Sequence, residues 1–444
     1  MKRILSLALV LILLLGTLSL FSCHKSEVTK VPISEYVIVI PQEADMTTQY
    51  SAEILADELF RKTGSKFGII ADSEPERAKE ILIGDTSRAQ SKQTLPLANG
   101  QYCAYTSGDK IVLRGYGIYI GSACYELLSS EAICEDGVDT SKLPSKPVIS
   151  TYKAQDTYSS VIFMIGDGMG DNHIKMTEEK AQISFIAKSF PNKATSVTRS
   201  LSVILKQAKF TDSAASATAM ATGYKTINGY IGVDKDLLPL KNVRELAHES
   251  GANTAVITTD LITGATPSSF MCHNGSRAND EELEAEINAL ILSGGIDYCQ
   301  GGVGDGLINH TKSALTQISK DSPFFIMIEE GIIDKKSHNK DEQGVIDTVS
   351  RFNDAIAYAT QFTLMHPDVA LIVTADHETG NLVPVPPDRY YFGSFDHTNK
   401  DVSVFALGAG TSVFNGQKIE NTFLAQFSAK AYSSAPFGDS TIYE

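Results

Sequence analysis

Residues 161–168 read Val161-Ile162-Phe163-Met164-Ile165-Gly166-Asp167-Gly168. A run of five apolar residues that stops at a glycine-rich turn is typical of a short strand buried on both faces. Similar runs recur later, and segments with helical spacing lie between them. This alternation predicts an α/β fold over residues 157–444, with a mostly parallel central sheet flanked by helices on both faces. The further runs are Ala255–Ile257, Phe324–Ile328, Leu371–Val373 and Val402–Leu407, and the helical segments include Asp280–Leu292 and Gly344–Thr363.

A smaller pattern precedes this region. It contains a β-branched run at Tyr36–Ile40, a helical pattern at Tyr50–Thr63 and a hairpin signal around Gly108. We therefore predict a small α/β domain over residues 34–149, followed by a polar linker at Ser145–Thr157. The order of its elements loosely resembles that of the non-catalytic N-terminal domains on some carbohydrate-active enzymes. Both a packing role and a binding role are open for this domain.

The first residues have the layout of a secretory signal. Lys2 and Arg3 precede the leucine-rich apolar stretch Ile4–Phe21, and Cys23 follows where that stretch stops. This layout predicts a signal peptide over residues 1–22. The end of the stretch resembles a bacterial lipobox, which implies that Cys23 is lipidated and that the protein is exported and lipid-anchored in the cell envelope. A permanent transmembrane anchor is the alternative, because the apolar stretch is nearly long enough to span a bilayer.

Composition excludes several classes of function. The chain of 444 residues has 38 Lys and Arg against 53 Asp and Glu, a formal net charge of −15. Such a charge repels a phosphate backbone, so nucleic acid is not expected as a partner, and contact with the membrane is expected through the lipid anchor only. The six cysteines form no C-x-x-C pair, which disfavours a zinc ribbon. Metal ligands are therefore to be sought among Asp, Glu and His.

Acidic and imidazole side chains accumulate just after the apolar runs. Asp167 follows the first run, Glu329 follows Phe324–Ile328, and the pair Asp376-His377 follows Leu371–Val373. Ligands of open α/β sheets bind at the carboxyl ends of the strands, so these side chains are expected at one edge. Asp334 and His338 are four residues apart and therefore share one helical face. Carboxylates with imidazoles suit zinc, and carboxylates with a hydroxyl suit magnesium.

Five strings carry a resemblance to a known family. They are Ile165-Gly166-Asp167-Gly168-Met169-Gly170, Thr211-Asp212-Ser213-Ala214-Ala215-Ser216-Ala217-Thr218-Ala219, the segment from Glu329 through Asp334-Lys335 to His338, Thr374-Ala375-Asp376-His377-Glu378-Thr379-Gly380, and Asp396-His397-Thr398. In type and order they resemble the alkaline phosphatases, and the resemblance spans residues 161–410. It implies a hydrolase that releases phosphate from small-molecule phosphate monoesters.

The resemblance also implies roles for individual residues. Ser213 would be the nucleophile that forms a phosphoserine, and Arg277 would grip two phosphate oxygens. Lys335 and Asp212 would support the site. The implied ligands are Asp334, His338 and His397 for one zinc ion, Asp167, Asp376 and His377 for a second zinc ion, and Asp167, Thr266 and Glu329 for a magnesium ion. No ligand position of the family matches Glu330, His173, His248, His273 or His366.

Departures from the family pattern leave alternatives open. Gly264 stands where many members have Asp or His, two residues before Thr266. The short spacing between His377 and His397 leaves little room for insertions that build the family's dimer, so the oligomeric state is open. A phosphodiesterase on the same metal scaffold is one alternative function, although many diesterases have threonine where Ser213 stands. The other is a surface glycan-binding protein that acts through residues 34–149, with a secondary phosphatase domain.

Overall fold

The computed structural model describes residues 31–92, 96–135, 137–320, 322–439 and 441. The predicted signal peptide over residues 1–22 and the predicted lipidation site at Cys23 lie outside the described residues. Within the described ranges, none of the helices combines the length and the apolar character that a membrane span requires.

The N-terminal region forms a six-stranded sheet with strand order β2-β1-β3-β5-β4-β8. The strands β2, β1, β3 and β5 pair in parallel, whereas β4 pairs antiparallel with both of its neighbours. In chain order the elements are β1 (Val37–Ile40), α1 (Met46–Thr63), β2 (Ile69–Ala71), β3 (Glu80–Ile83), β4 (Gln101–Ser107), β5 (Lys110–Gly115), α2 (Ile120–Ser129), the small ribbon of β6 (Ile133–Cys134) and β7 (Gly137–Val138), and β8 (Ser150–Thr151).

Strand β8 corrects the predicted linker. Ser150 and Thr151 lie inside the segment predicted as a linker, yet they pair with Tyr102 and Gln101 of β4. A strand of two residues covers the exposed edge of β4 but is too short to leave an alternating pattern in the sequence.

Helix α1 begins four residues before the predicted start at Tyr50. The side chain of Asp45 accepts a hydrogen bond of 2.8 Å from the Thr48 amide, which caps the helix at its N-terminus. At the other end the chain turns at Gly64, whose φ of 71° is left-handed.

The rest of the chain builds an eight-stranded sheet with strand order β12-β11-β13-β9-β14-β19-β10-β20. Its strands are β9 (Ser160–Gly166), β10 (Asn192–Val197), β11 (Asn253–Thr258), β12 (Tyr298–Gln300), β13 (Phe324–Glu330), β14 (Val369–Thr374), β19 (Val402–Gly408) and β20 (Gln417–Glu420). The ribbons β15 (Glu378–Thr379) with β18 (His397–Thr398), and β16 (Leu382–Val385) with β17 (Arg389–Phe392), lie beside it.

Only β19 runs antiparallel to its neighbours in this sheet. The helices of this larger region are α3 (Asp171–Ala181), α4 (Leu201–Ile204), α5 (Ser213–Thr222), α6 (Val243–Glu249), α7 (Ala265–Ser269), α8 (Asp280–Leu292), α9 (Leu307–Ile318), α10 (Ile332–His338), α11 (Glu342–Met365) and α12 (Thr422–Ala429). Alternate residues of β9 pack into two different apolar clusters, so both faces of the sheet are covered. The predicted α/β fold class with a mostly parallel central sheet is confirmed.

Helix α11 joins the two sheets. The fully buried Gln361 accepts hydrogen bonds from Ser51 of α1, at 2.7 Å, and from the Gly121 amide of α2, at 3.0 Å. Its amide nitrogen donates to the Ile118 carbonyl at 3.0 Å. Apolar residues of α1, α2 and α11 belong to one continuous core cluster. The N-terminal region therefore packs tightly on the larger one, and its division into a separate domain stays a prediction.

Candidate active site

The carboxyl ends of three adjacent strands bring the predicted ligands to one edge of the large sheet. Glu329 of β13 pairs with Ile165 of β9, and Thr374 of β14 pairs with the same residue from the other side. Asp167 and Asp376 come two residues after these pairs, and both are buried. The parallel register of the three strands therefore sets the positions of the three carboxylates.

The first cluster consists of Asp334, His338 and His397. Asp334 and His338 lie on one face of α10, and His338 Nε2 is 3.3 Å from Asp334 Oδ2. His397 comes from β18, whose pairing with β15 places its ring 3.7 Å, centroid to centroid, from that of His377. The Nε2 atoms of His338 and His397 are 3.1 Å apart. One potential ligand atom from each of the three residues lies within 4.8 Å of the others.

The hydrogen bonds of the two imidazoles show what this cluster needs. His338 Nδ1 faces the Phe395 carbonyl, and His397 Nδ1 faces the Thr211 carbonyl at 2.7 Å. A carbonyl only accepts, so each Nδ1 carries the proton and, in the neutral ring, each Nε2 presents a lone pair. Two lone pairs and a carboxylate thus point at one another, an arrangement that a bound cation satisfies. Without a cation, the hydrogen bond with Asp334 raises the pKa of His338 to about 9, so a second proton on that ring takes the cation's place. The donor set fits zinc.

The second cluster surrounds the side chain of Ser213. Ser213 Oγ lies 3.2 Å from His377 Nε2 and 3.5 Å from Asp167 Oδ1. His377 Nε2 is also 3.1 Å from Asp376 Oδ2. A ligand atom from each of Asp167, His377 and Asp334 falls within 4.8 Å of the others, so Asp334 borders both clusters.

The tautomer of His377 follows from Thr379. The Thr379 hydroxyl donates to Asp334 Oδ1 at 2.5 Å, so its oxygen is left to accept from His377 Nδ1 at 3.3 Å. His377 Nε2 therefore presents a lone pair to Asp376 Oδ2, which is buried and has no hydrogen-bond partner among the described residues. Two buried acceptors 3.1 Å apart repel each other unless a cation lies between them. The second cluster fits a metal ion for the same reason as the first.

Helix α5 places Ser213 and Arg277 on the same cleft. Ser213 is the first residue of α5, and the side chain of Asp212 caps the helix by accepting from the Ala215 amide at 3.0 Å. Asp212 also accepts from the Gly229 amide and, at 3.3 Å, from Arg277 Nη1. Asp212, predicted as a supporting residue, thus holds the partly exposed Arg277 beside the helix N-terminus, where phosphate binding is favoured.

The predicted magnesium ligands are less completely brought together. Thr266 Oγ1, in α7, is buried and has no hydrogen-bond partner within the described ranges. Glu329 Oε2 accepts a short hydrogen bond from Thr258, and its charge raises the pKa of Asp167. These features fit a hard cation between Asp167, Thr266 and Glu329, but the groups of potential metal ligands found in the described chain include neither Glu329 nor Asp376.

Lys335 and Glu330 have partners that the sequence did not reveal. Lys335 Nζ forms an ion pair with Asp260 Oδ1, and the supporting role of Lys335 in the site stays a prediction. Glu330 is fully buried and accepts two hydrogen bonds from the Arg351 guanidinium, so its carboxylate is paired with Arg351.

Burial and like charge raise the pKa of three acidic groups in the site, whereas neighbouring imidazoles lower that of a fourth. Burial, followed by the charges of Asp376, Asp334 and Glu329, holds the pKa of Asp167 well above its usual range. Burial likewise raises the pKa of Glu329 to about 8 and that of Asp376 to about 6. Burial also raises the pKa of Asp334, but hydrogen bonds from His338 and His397, when these rings carry a second proton on Nε2, outweigh it and hold that pKa well below its usual range. The raised pKa values show that the pocket disfavours bare negative charge, which protons or bound cations compensate.

A buried polar chain behind the second cluster was missed by sequence reasoning. Ser216 Oγ donates to the Asp376 carbonyl at 2.7 Å and accepts from Asn421 Nδ2 at 3.0 Å. Asn421 Oδ1 in turn accepts from Lys225 Nζ at 2.7 Å, and Lys225 pairs with Glu420 at 2.8 Å. This chain fixes the backbone that carries Asp376 and His377. Its members are distant in sequence, so no local pattern signals their contact.

His173 supports the helix that carries Asp334 and His338. Its Nδ1 accepts from the Gly170 amide at 3.1 Å, so the proton is on Nε2, which lies 3.0 Å from Ser337 Oγ. The Ser337 hydroxyl donates to the Ile333 carbonyl and can therefore accept from His173. Burial lowers the pKa of His173 to about 4. The sequence assigned this residue no ligand role, and its role here is to hold α10.

Comparison with known proteins identifies relatives of the larger region. A model of the family described as alkaline phosphatase matches residues 159–303 and 303–393. Alkaline phosphatase 4 of Bacillus subtilis (strain 168) is 29% identical over an alignment of 287 residues, and the match covers 50% of this chain and 61% of that protein. Alkaline phosphatase 3 of the same strain is 28% identical over an alignment of 292 residues, and the match covers 51% of this chain and 62% of that protein. The match thus spans less than two thirds of either relative.

Solved structures share the fold. That of alkaline phosphatase from the Antarctic bacterium TAB5 has a TM-score of 0.57 and 27% identity, and covers 62% of this chain and 99% of that one. A variant of the TAB5 enzyme with Mg bound in its M3 site has a TM-score of 0.57 and 25% identity, and covers 63% and 99%. Nearly all of the TAB5 enzyme is matched by less than two thirds of this chain, so this chain carries further residues.

The low pKa of His173 predicts a pH dependence of stability. Between its ordinary pKa of 6.5 and about 4, the unfolded chain binds a proton that the folded chain does not. The contribution of His173 to the free energy of unfolding should therefore be complete above about pH 6.5 and be lost as the pH falls towards about 4. Through this group the free energy of unfolding should fall by about 2 kcal/mol between about pH 7 and about pH 5. Urea unfolding of wild type and of His173→Gln, at several pH values and in the presence of a chelator, measures how steeply the free energy of unfolding depends on pH in each protein.

The matched control for this experiment is His248→Gln, because His248 is an exposed histidine. We expect the control to keep the wild-type slope and His173→Gln to flatten it. Equal slopes for wild type and His173→Gln would show that His173 is not held neutral.

Proposed function

The chain belongs to the alkaline phosphatase family, and on this basis we propose that it hydrolyses small-molecule phosphate monoesters through a phosphoserine at Ser213 and releases inorganic phosphate. The observation that carries the proposal is the surrounding of Ser213 Oγ, which lies 3.2 Å from the lone pair of His377 Nε2 and 3.5 Å from an Asp167 carboxylate oxygen. Both neighbours are ligands proposed for the second zinc ion, so the serine oxygen lies beside that ion's site and lines the same cleft as Arg277.

We propose two zinc ions and one magnesium ion as cofactors. Asp334, His338 and His397 would hold one zinc ion, Asp167, Asp376 and His377 the second, and Asp167, Thr266 and Glu329 the magnesium ion. The opposed lone pairs and the unpartnered oxygens of Asp376 and Thr266 support these assignments. Bound there, the cations would supply Lewis-acid stabilisation of the attacking and leaving oxygens.

The chain's own residues account for binding and attack. Arg277 grips two non-bridging phosphate oxygens with its planar guanidinium, in a position set by Asp212. The N-terminus of α5 adds a partial positive charge beside the phosphate. Ser213 Oγ loses its proton to solvent and attacks phosphorus in line, the P–O bond to the alcohol breaks, and the departing alkoxide on the opposite side takes up a proton from water. Water hydrolyses the phosphoserine, which returns the serine hydroxyl and gives phosphate.

We also propose that the protein is exported and that Cys23 is its lipid anchor, without nucleic acid as a partner. The basic residues before Ile4–Phe21 and the position of Cys23 after that stretch support this. In a bacterial host, Cys23→Ser should move the protein from the membrane fraction to the soluble fraction. Retention in the membrane fraction would instead favour a permanent transmembrane anchor.

The alternative functions differ in how well the structure supports them. In one alternative, residues 34–149 bind surface glycans, although α1 and α2 pack with α11 in one core and so belong to no free module. A phosphodiesterase would use the same metal ligands, so the two functions are distinguished by whether the enzyme prefers a phosphate monoester or a diester. The proposed enzyme should release nitrophenol faster from the mono- than from the bis-nitrophenyl phosphate.

The activity test uses Ser213→Ala in protein loaded with zinc and magnesium. Removal of the nucleophile should lower kcat for nitrophenyl phosphate at alkaline pH by at least about a thousandfold, because the remaining groups bind phosphate but form no covalent intermediate. Wild type, quenched in acid, should carry covalent phosphate from labelled substrate, and Ser213→Ala should carry none.

Ser412→Ala is the control, because Ser412 is an exposed serine that lies outside the cleft. It should retain wild-type turnover and labelling. Turnover by Ser213→Ala at the wild-type rate, with equal metal content, would rule out the serine as the nucleophile.

A further inference from the structure

A second cleft adjoins the one that contains Ser213. The first has a volume of about 500 Å³ and is lined by Ser213 and Arg277, and the second has a volume of about 590 Å³. Lys209, Phe210 and His397 line both clefts. The two therefore form one continuous depression, with the Asp334–His338–His397 cluster near their junction. Together they have room for a molecule much larger than a phosphate group.

The second cleft is positively charged. Lys209 and Lys400 line it, and none of its lining residues within the described chain is acidic. No carboxylate in the described ranges forms an ion pair with Lys209, whose ammonium lies 4.7 Å from the centre of the Phe210 ring. Lys400 Nζ is 3.5 Å from the buried carboxylate of Glu378, which compensates part of its charge. The uncompensated cation of the cleft is thus Lys209.

Lys209 differs in this respect from the arginine of the first cleft. The Arg277 guanidinium is already engaged by Asp212 and is assigned to the phosphate that reacts. The backbone of Lys209 is held by Asn399, whose side-chain amide donates to the Lys209 carbonyl at 2.9 Å. The lysine backbone is therefore held at the junction of the two clefts. Its ammonium lies over the Phe210 ring but has no carboxylate partner in the described ranges, so it can bind an anion from solution.

The position of the second cleft assigns it to the leaving group. In-line displacement requires the alcohol to depart opposite Ser213. Ser213 lines the first cleft only, and the second cleft adjoins the first through Lys209, Phe210 and His397. The alcohol of the substrate therefore extends from the reacting phosphate towards Lys209 and Lys400.

We propose that this cleft binds a second phosphate group on the leaving alcohol, so that bisphosphorylated small molecules are preferred over monophosphates. The inference rests on the proposed monoesterase function and names its substrate class. Lys209 forms the main ion pair with the second phosphate, Lys400 adds to the local positive potential, and the side-chain amide of Asn381 lines the same wall. The chain has a net charge of −15, which repels anionic substrates. A local cation such as Lys209 is therefore the chief source of the preference for the bisphosphate.

The test compares the monophosphate and the bisphosphate of the same alkanediol, in a series from two to six carbons, at constant ionic strength. The bisphosphate has two equivalent ends, so indifference to the second phosphate gives a kcat/KM ratio of about two. For wild type we expect a ratio at least about fivefold above this value at one or more chain lengths, mainly through a lower KM. In Lys209→Gln the ratio should fall towards two.

Lys235→Gln is the matched control, since Lys235 is an exposed lysine outside both clefts and its replacement changes the net charge equally. It should keep the wild-type ratio. A wild-type ratio of two at every chain length, or a ratio that Lys209→Gln leaves unchanged, would overturn the inference while the monoesterase function stands. No turnover of either substrate would instead contradict the proposed function, and this inference with it.

Discussion

The active site depends on the convergence of hydrogen-bond acceptors, the imidazole Nε2 atoms and the carboxylate oxygens, in one pocket. Backbone carbonyls hold the protons of His338 and His397 on Nδ1, and Thr379 does the same for His377. In the neutral rings, three Nε2 lone pairs therefore face the carboxylates of Asp334 and Asp376 at 3.1–3.5 Å. Burial of such a set is unfavourable unless cations occupy it. The cations that satisfy the set also make the pocket attractive to phosphate, although the chain as a whole is acidic.

The fold supplies this convergence through strand register and support from behind. Parallel pairing of β9 with β13 and β14 aligns three strand ends, and α10 and the β15–β18 ribbon add ligands from above the edge. At Gly168, a side chain would place its Cβ 2.9 Å from the Cα of Asp334, so glycine there allows α10 to approach closely. The hydrogen bonds that link Ser216, Asn421 and Lys225 hold the backbone of Asp376 and His377, and the buried His173 holds the helix that carries Asp334 and His338.

Much of this was accessible from the sequence, for identifiable reasons. Long apolar runs such as Val161–Ile165 predicted the strands of the large sheet, and the ligand strings identified the family. Strand β8 was missed because two residues carry no periodic pattern. The Lys335–Asp260 and Ser216–Asn421 contacts were missed because the partners are 75 and 205 residues apart. The imidazole tautomers were also beyond the sequence, because they depend on which backbone carbonyl each Nδ1 meets in the folded chain.

The central claim is that cations hold the opposed acceptors together, and X-ray anomalous scattering at the zinc edge tests it most directly. Crystals of zinc-loaded protein should show two peaks. One should lie about 2.0–2.2 Å from ligand atoms of Asp334, His338 and His397, and the other at the same distance from His377 Nε2 and an adjacent carboxylate. Well-ordered density for these side chains with no anomalous peak between them would contradict the account.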